Sequence, residues 1–272
     1  MPELPEVAII VKGLKENLTG DIIKSAEFSG AKFRNKVIDF NPLILVGKKI
    51  QSIERRAKYI LIHLYNKCTL ILHLGMSGRI LINVRSKYEK HNHLKMIFKS
   101  GTELIFNDPR RFGIIKLINK ANYLDDALIR NLGCEPLSEE FNFSTMQEIC
   151  IHRKSNIKSV IMNSKLIVGV GNIYACESLF EAKILPIRPA ESLSNSELTN
   201  LVASIKQVIR IAIAAGGSTL KDYVDANGKT GEFQSHFKVY GRAGEPCFIC
   251  NNPVKLIRIA GRSSFYCSGC QK

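Results

Sequence analysis

The first residues of the chain, Met1-Pro2-Glu3-Leu4-Pro5-Glu6, place a proline beside a carboxylate at the amino end. Aminopeptidases remove an initiator Met before a small residue, and this cleavage would expose the secondary amine of Pro2. An α-amino group has a pKa of about 7.7–8.0, so a sizeable fraction is unprotonated and nucleophilic at neutral pH. Such an amine can attack C1′ of a sugar and form an iminium ion, with Glu3 in reach to transfer protons. The alternative interpretation is an ordinary rigid start to a capped helix.

The cysteines indicate a metal site near the other end. Cys247-x-x-Cys250 and Cys267-x-x-Cys270 are separated by sixteen residues, which is the spacing of a four-thiolate zinc site. Two redox pairs or disulfides are the alternative. We predict one structural Zn²⁺ ion, since the remaining cysteines are isolated in sequence and suit a reducing compartment. These remaining cysteines are Cys68, Cys134, Cys150 and Cys176.

The segment between the two cysteine pairs has the pattern of a β-hairpin. The residues at 253–259 (Pro-Val-Lys-Leu-Ile-Arg-Ile) and 263–266 (Ser-Ser-Phe-Tyr) have the pattern of two strands on either side of Ala260-Gly261-Arg262. We therefore predict a zinc-held hairpin with an arginine at its tip.

Composition limits the class of protein. The chain has 272 residues and a mass of 30.5 kDa, which suits two domains and a small module. Its net charge of +15 predicts a polyanionic partner, nucleic acid first. The alternative is compositional drift, because AT-rich coding also enriches Lys, Ile and Asn. No apolar run reaches the length of a membrane span and no secretory signal is present, so we expect a cytoplasmic protein without a membrane partner.

The elements that must position these residues change in type along the chain. Apolar residues at three- and four-residue spacing predict a helix over 5–18. Short apolar runs separated by Gly, Asn or Ser then predict a β-sandwich. The predicted strands are 59–64, 69–74, 79–82, 95–98, 103–106 and 114–118.

Helical patterns dominate the rest of the chain. We predict helices over 123–132, from a capping box at Ser144-x-x-Gln147, over 157–162, over 173–182, and from a capping box at Ser194-x-x-Glu197 to 215. A hinge is expected near 130–136, and 216–235 is expected to form a polar, flexible loop.

Seven motifs in order, together with the four cysteines, resemble those of the formamidopyrimidine-DNA glycosylase family over essentially the whole chain. They are Pro2-Glu3-Leu4-Pro5-Glu6, Arg55-Arg56-Ala57-Lys58-Tyr59, His73-Leu74-Gly75-Met76-Ser77-Gly78, Asp108-Pro109-Arg110-Arg111-Phe112-Gly113, Val168-Gly169-Val170-Gly171-Asn172-Ile173-Tyr174, Gly216-Gly217-Ser218-Thr219-Leu220 and Val239-Tyr240-Gly241-Arg242.

The resemblance implies an α+β fold in three consecutive segments. These are a catalytic β-sandwich with an N-terminal helix (1–132), a helical helix–two-turn–helix domain with a lesion-recognition loop (133–235) and a zinc-finger hairpin (236–272). It also implies a DNA glycosylase and AP lyase that removes oxidised purines from damaged double-stranded DNA, then cuts the strand by β,δ-elimination. We expect a bacterial, nucleoid-associated monomer that needs no small-molecule cofactor.

The resemblance assigns four catalytic residues. Pro2 is the nucleophile that forms the Schiff base, and Glu3 transfers protons. Lys58 donates a proton in β-elimination, although its basic run alone suggests a solvated face. Arg262 binds the scissile phosphates and serves δ-elimination, although a structural arginine is the alternative.

Six further residues are expected to contact DNA. Met76, Arg110 and Phe112 match the residues that replace the everted base, although two of them would otherwise be interpreted as core. His91, Arg153 and Asn172 match phosphate contacts, with His152 or Lys154 as alternatives to Arg153. The 216–223 loop matches a lid over the lesion, or is a passive linker.

Departures from the family pattern are small, and three other functions stay open. Ala8 stands where many members carry Glu, the chain has no Trp, and 225–227 is where lesion preference could drift. The alternatives are an endonuclease VIII-like glycosylase for oxidised pyrimidines, a catalytically inactive zinc protein that binds damaged DNA, and a basic RNA- or ribosome-associated protein. Leu4 favours the formamidopyrimidine-DNA glycosylase over the endonuclease VIII-like enzyme, and the intact catalytic positions argue against an inactive protein.

Overall fold

The computed structural model describes residues 2–34, 41–65, 67–83, 89–119, 123–218 and 231–272. The chain packs into two compact units that do not follow chain order. The first unit contains 1–130 together with 215–234, and the second contains 131–214 together with 235–272. Residues 215–234 therefore belong to the first unit, although they follow most of the second unit in the chain. Residues 235–272 belong to the second unit.

The first unit is a β-sandwich preceded by a helix, as the sequence predicts. The elements are α1 (Leu4–Leu18), β1 (Ile23–Phe28), β2 (Ile50–Arg56), β3 (Tyr59–Leu64), β4 (Cys68–His73), β5 (Arg79–Ile82), β6 (Asn92–Phe98), β7 (Glu103–Asn107) and β8 (Ile114–Asn119). The strands form two antiparallel four-stranded sheets with the orders β1-β6-β7-β5 and β2-β3-β4-β8.

One apolar cluster joins α1 to both sheets. The helix contributes Val7, Ile10, Leu14 and Leu18, whose spacing places them on one face. This face packs against β2 and β3. Because each fully buried Leu or Ile side chain contributes about 1.5–3 kcal/mol, the cluster fixes where the amino terminus lies on the sandwich.

The second unit contains four helices and the hairpin. They are α2 (Phe143–Cys150), α3 (Ile157–Ile161), α4 (Asn172–Glu181), α5 (Asn195–Ala214), β9 (Lys255–Ile259) and β10 (Arg262–Tyr266). Helix α5 packs against α2 and α4, and α4 packs against β10. The predicted capping box before α5 is present: Ser194 N–H donates to Glu197 Oε2 (2.8 Å) and Glu197 N–H to Ser194 Oγ (3.3 Å).

One helix prediction is wrong, and a second predicted helix is present but has a different N-cap. The predicted helix over 123–132 is a short 3₁₀ turn, Tyr123–Asp125, followed by turns. Asp126 explains the difference, because its carboxylate accepts from Leu128 N–H (3.0 Å) and pairs with Lys116 Nζ (2.6 Å), which competes with helical bonding. The predicted box at Ser144 is also absent: α2 starts earlier, where Asn142 Oδ1 accepts from Thr145 N–H (3.1 Å).

The hairpin turn is tighter than predicted. Ala260 and Gly261 both have positive φ (47° and 74°), and Ile259 pairs with Arg262. Two residues therefore make the turn, of the kind that matches strand twist. Arg262 is the first residue of β10 rather than part of the turn itself.

None of the helices in the described ranges is both long enough and apolar enough to cross a membrane.

Candidate catalytic and nucleic-acid-binding site

The amino-terminal segment is buried and held by one carboxylate. Pro2 and Glu3 are both buried, and α1 begins directly after them. Glu6, only 1% exposed, accepts hydrogen bonds from Glu3 N–H (2.8 Å), Ser218 N–H (2.8 Å) and Ser218 Oγ (3.1 Å). Glu3 and Glu6 also form a reciprocal capping box. Glu6 thus joins the Pro2-Glu3 end to Ser218, a role that the sequence did not indicate beyond the Glu3-x-x-Glu6 spacing.

Backbone contacts join Gly217 to residues 231–233. Gly216 and Gly217 have positive φ (76° and 78°), and Phe233 N–H donates to Gly217 O (2.9 Å). A Cβ at Gly231 would lie 2.2 Å from Gly217 O, so only glycine permits this close approach. Most of the predicted lid lies outside the described residues, which resume at 231.

Lys58 lies in the two-residue turn between β2 and β3. Ala57 has positive φ (54°), Arg56 pairs with Tyr59, and Arg55 donates to Ala57 O (2.9 Å). The guanidinium therefore braces the turn that presents Lys58.

His73, at the end of β4, is a neutral base beside this turn. Burial, with a smaller contribution from the charge of Lys58, lowers the pKa of His73 to about 4. Its ring packs against Tyr59 with the centroids 4.9 Å apart, and its Nδ1 accepts from Gly75 N–H (3.0 Å). Nδ1 must then be unprotonated, which places the proton on Nε2. The sequence indicated His73 only as the first residue of the family motif at 73–78.

Two turns joined by Asp108 present the predicted base-replacing residues, Met76, Arg110 and Phe112. The Asp108 carboxylate is fully buried and accepts from Ser77 Oγ (2.6 Å), Arg110 N–H (3.3 Å) and Gly113 N–H (2.8 Å). It therefore fastens the turn that carries Met76 to the turn that carries the other two. We call these two turns, 74–78 and 107–113, the platform.

The platform is also held by backbone packing and by a histidine. A Cβ at Gly75 would lie 2.5 Å from the carbonyl carbon of Phe112, so only glycine permits this approach. Asp108 N–H donates to His91 O (3.0 Å), and His93 Nε2 lies 3.0 Å from Asp108 O. The structure therefore brings together Met76, His91, Arg110 and Phe112, with Met76 43% exposed and Arg110 exposed.

In the second unit, Asn172 is bound to the hairpin. As the first residue of α4, it donates through Nδ2 to Ser263 O (2.8 Å). Its Oδ1 accepts from Lys158 Nζ (2.6 Å), and the same ammonium donates to Ser264 Oγ (2.6 Å) and Ser263 O (3.1 Å). Lys158 is only 1% exposed. A single lysine in an amphipathic helix resembles a solvated one, so the sequence carried no signal for it.

Arg262 and Arg153 lie in different surroundings. Arg262 is exposed and borders a cavity of about 260 Å³, which Lys158, Met162 and Ile259 also line. Arg153, three residues beyond the end of α2, folds back and donates through Nε to the carbonyl of Ile149 in the last turn of that helix. Within the described ranges, no hydrogen bond or ring contact connects Arg153 to Asn172 or Arg262.

The four paired cysteines form one metal-binding cluster. Their sulfurs all lie within 4.8 Å of one another, with Cys247 and Cys270 at 3.8 Å and Cys250 and Cys267 at 3.4 Å. Zn–S bonds of about 2.3 Å in a tetrahedron separate the sulfurs by about 3.8 Å, so the cluster fits one Zn²⁺ ion.

Buried partners attach the metal cluster to the helical unit. Glu177 of α4 accepts from the N–H groups of Lys238 (2.9 Å), Val239 (3.0 Å) and Tyr240 (2.8 Å). Gln271 accepts from Cys267 N–H (2.8 Å) and donates to Ile184 O (2.8 Å). The residues that flank the hairpin are therefore fixed to α4 through Glu177 and to Ile184, just beyond α4, through Gln271.

Comparisons with known proteins agree with this architecture. The family model for the formamidopyrimidine-DNA glycosylase N-terminal domain matches residues 1–115, and the model for the H2TH domain of the same proteins matches 132–224. A formamidopyrimidine-DNA glycosylase from Wolbachia pipientis of Culex pipiens is 45% identical over 272 residues, with all of both chains covered.

Two solved structures from Lactococcus lactis cover all of this chain and are covered by it completely. A single-residue variant of the FPG protein in complex with DNA containing Fapy-dG is 33% identical, with a TM-score of 0.90. The wild-type FPG (MutM) in complex with DNA containing an oxidised pyrimidine is 34% identical, with a TM-score of 0.88.

Proposed function

Because the chain belongs to the formamidopyrimidine-DNA glycosylase family, we propose that it excises oxidised purines from duplex DNA in base excision repair and then nicks the strand by β,δ-elimination. The substrates are 8-oxoguanine and formamidopyrimidines. The observation that carries the proposal is the buried Pro2-Glu3 end, which the Glu6 carboxylate holds against Ser218. Fixing a short terminal segment in this way suits a group that must attack one carbon of a bound substrate.

The reaction begins at the amine of Pro2 once Met1 is removed. The nitrogen forms a bond to C1′ while the glycosidic bond breaks and the base leaves with a proton. Glu3 protonates the ring oxygen as the sugar opens, which gives an iminium ion at C1′. The iminium acidifies the C2′ proton, which the Glu3 carboxylate accepts, and the 3′ phosphate leaves by β-elimination with Lys58 as proton donor. Arg262 then binds and assists departure of the 5′ phosphate in δ-elimination.

Residues of both units contribute to DNA binding. Met76 and Phe112 fill the space of the everted base, and Arg110 pairs with the orphaned cytosine. His91, Arg153 and Asn172 contact backbone phosphates, which fixes the register without reading sequence. The functional division along the chain follows 1–132, 133–235 and 236–272, and the net charge of +15 supports association with the nucleoid.

Zinc would be held by Cys247, Cys250, Cys267 and Cys270, and its role would be structural rather than catalytic. Bound metal would stabilise this short segment, because metal binding contributes directly to the folding of small modules. The hairpin in turn presents Arg262.

An excision assay tests the proposed substrate class. Purified protein is incubated with duplexes that contain 8-oxoguanine opposite cytosine, thymine glycol or an abasic site, and strand cleavage is followed on denaturing gels. We expect 8-oxoguanine to be excised with the highest kcat/KM. A Glu3→Gln variant should lose at least about 100-fold, in the range of general acid–base contributions, whereas Glu16→Gln on the exposed face of α1 should retain activity.

The second candidate is an oxidised-pyrimidine glycosylase, which the oxidised-pyrimidine complex of the Lactococcus lactis relative favours. Thymine glycol excised faster than 8-oxoguanine would establish it. Binding of abasic duplex without cleavage of any substrate, by protein shown by mass spectrometry to lack Met1, would instead indicate an inactive damaged-DNA-binding protein.

A further inference from the structure

Two guanidinium groups, not one, lie over the ring of Phe112. The Cζ atoms of Arg110 and Arg34 are each 4.8 Å from the ring centroid. Arg34 comes from the segment after β1, and its backbone N–H donates to Arg111 O (3.0 Å). This bond anchors the segment on the platform, and Arg111 itself has positive φ (55°), which turns its carbonyl out of a regular strand.

The two arginines place two like charges near one ring. Their Cζ atoms can be no further apart than about 9.6 Å, because each lies 4.8 Å from the same centroid. That separation is close to one screening length at physiological salt, about 8 Å, so the charges repel. Across the ranges that the structure describes, neither guanidinium has a hydrogen-bond or carboxylate partner. Both side chains are exposed.

We propose that Arg34 is a further DNA-contacting residue: it steadies the Phe112 ring and donates to a backbone phosphate of the duplex beside the everted nucleotide. This inference rests on the proposed function, which places Phe112 in the stack. A phosphate is the ligand that a guanidinium fork binds through two parallel hydrogen bonds. An anion placed against Arg34 also relieves its repulsion with Arg110. Engagement of the duplex and insertion of the ring would then be coupled at one residue.

Binding measurements test the contact without requiring catalysis. The affinity for a duplex with a tetrahydrofuran abasic analogue is measured against salt for wild type, Arg34→Ala and Arg34→Lys. The control is Arg130→Ala, which removes the same charge from an exposed arginine of the same unit. Loss of one phosphate contact should lower the slope of log Kd against log salt by about 0.9 and weaken binding about tenfold near physiological salt. Arg130→Ala should keep the wild-type slope.

A second readout separates the positioning role from charge alone. A fluorescent base placed opposite the lesion reports insertion of the ring through its change in stacking. Arg34→Lys keeps the charge and should retain the salt slope, but it should lower the insertion signal and kcat for 8-oxoguanine more than KM, because an ammonium lacks the planar fork. Circular dichroism confirms that each variant is folded.

The outcomes separate a failure of the Arg34 contact from a failure of the proposed function. If wild type excises 8-oxoguanine but Arg34→Ala matches Arg130→Ala in slope and affinity, the Arg34 contact is refuted and the function stands. If wild type excises no oxidised purine, the proposed function fails. The salt slope of Arg34→Ala on the abasic duplex then still decides the phosphate contact.

Discussion

Acidification should destabilise the first unit through His73. Burial and the nearby charge of Lys58 hold the pKa of His73 near 4, and its Nδ1 accepts a hydrogen bond from Gly75 N–H. Protonation would place a charge beside Lys58 and break this bond. The turn that carries Met76 would lose one of its supports.

The magnitude follows from the difference between the folded and unfolded pKa values. An unfolded histidine has a pKa of about 6.5, and each pH unit of difference corresponds to about 1.4 kcal/mol, so the pKa of about 4 corresponds to about 3 kcal/mol. Between these pKa values the unfolded chain binds a proton that the folded chain excludes. The stabilisation is therefore complete above about pH 6.5, falls as the pH drops, and is absent below about pH 4.

Urea unfolding at about pH 7 and about pH 4.5 measures this contribution when wild type is compared with His73→Gln. Other groups titrate in both proteins, so the difference between their losses isolates His73. Wild type should lose about 2 kcal/mol more than the variant, and the His73 ring should not titrate by NMR until well below pH 6. Equal losses in the two proteins, or a ring that titrates near 6.5, would refute this reasoning.

Three further predictions follow from single contacts. Gly75→Ala should reduce the free energy of unfolding by at least about 1 kcal/mol more than Gly101→Ala, because both glycines have positive φ but only Gly75 lies against the facing turn. Equal losses of the two variants in urea unfolding would show that the close contact is unimportant. In thermal unfolding, Lys158→Met should destabilise the protein by about 3 kcal/mol, because it leaves buried hydrogen-bond acceptors unpaired, whereas the exposed Lys165→Met should cost less than about 0.5 kcal/mol. Similar losses for the two variants would contradict this reasoning. Metal analysis should find about one zinc per chain in wild type and none in Cys267→Ser, and zinc retained by the variant would disprove the assigned ligand set.

Patterns confined to neighbouring residues predicted most of the fold. The apolar spacing of α1, the short strands of the sandwich and the Cys-x-x-Cys pairs each depend on local periodicity or spacing, and each is present. The prediction of a helix over 123–132 is wrong because the Asp126 carboxylate accepts a backbone hydrogen bond that competes with helical bonding. The only buried apolar residue of 123–132 is Ile129, so a helix here would have no continuous apolar face to pack.

The supports of the site could not be predicted because they join residues far apart in sequence. Ser77 and Asp108 are 31 residues apart, Lys158 and Ser264 are 106 apart, and Glu6 and Ser218 are 212 apart. Single Glu, Asp and Lys residues are usually solvated, so their types alone carried no signal. The catalytic and DNA-contact roles taken from the family resemblance stay predictions for experiment.

Borohydride trapping tests the central claim, that Pro2 forms a Schiff base with DNA. Protein whose Met1 has been removed is mixed with a duplex containing 8-oxoguanine opposite cytosine, reduced, and compared with Pro2→Gly on a denaturing gel. We expect a covalent protein–DNA band from wild type, with the DNA on the amino-terminal peptide and the band much weaker for the variant. A band that maps to another peptide, or an unmodified Pro2 in protein that still excises the base, would contradict the account.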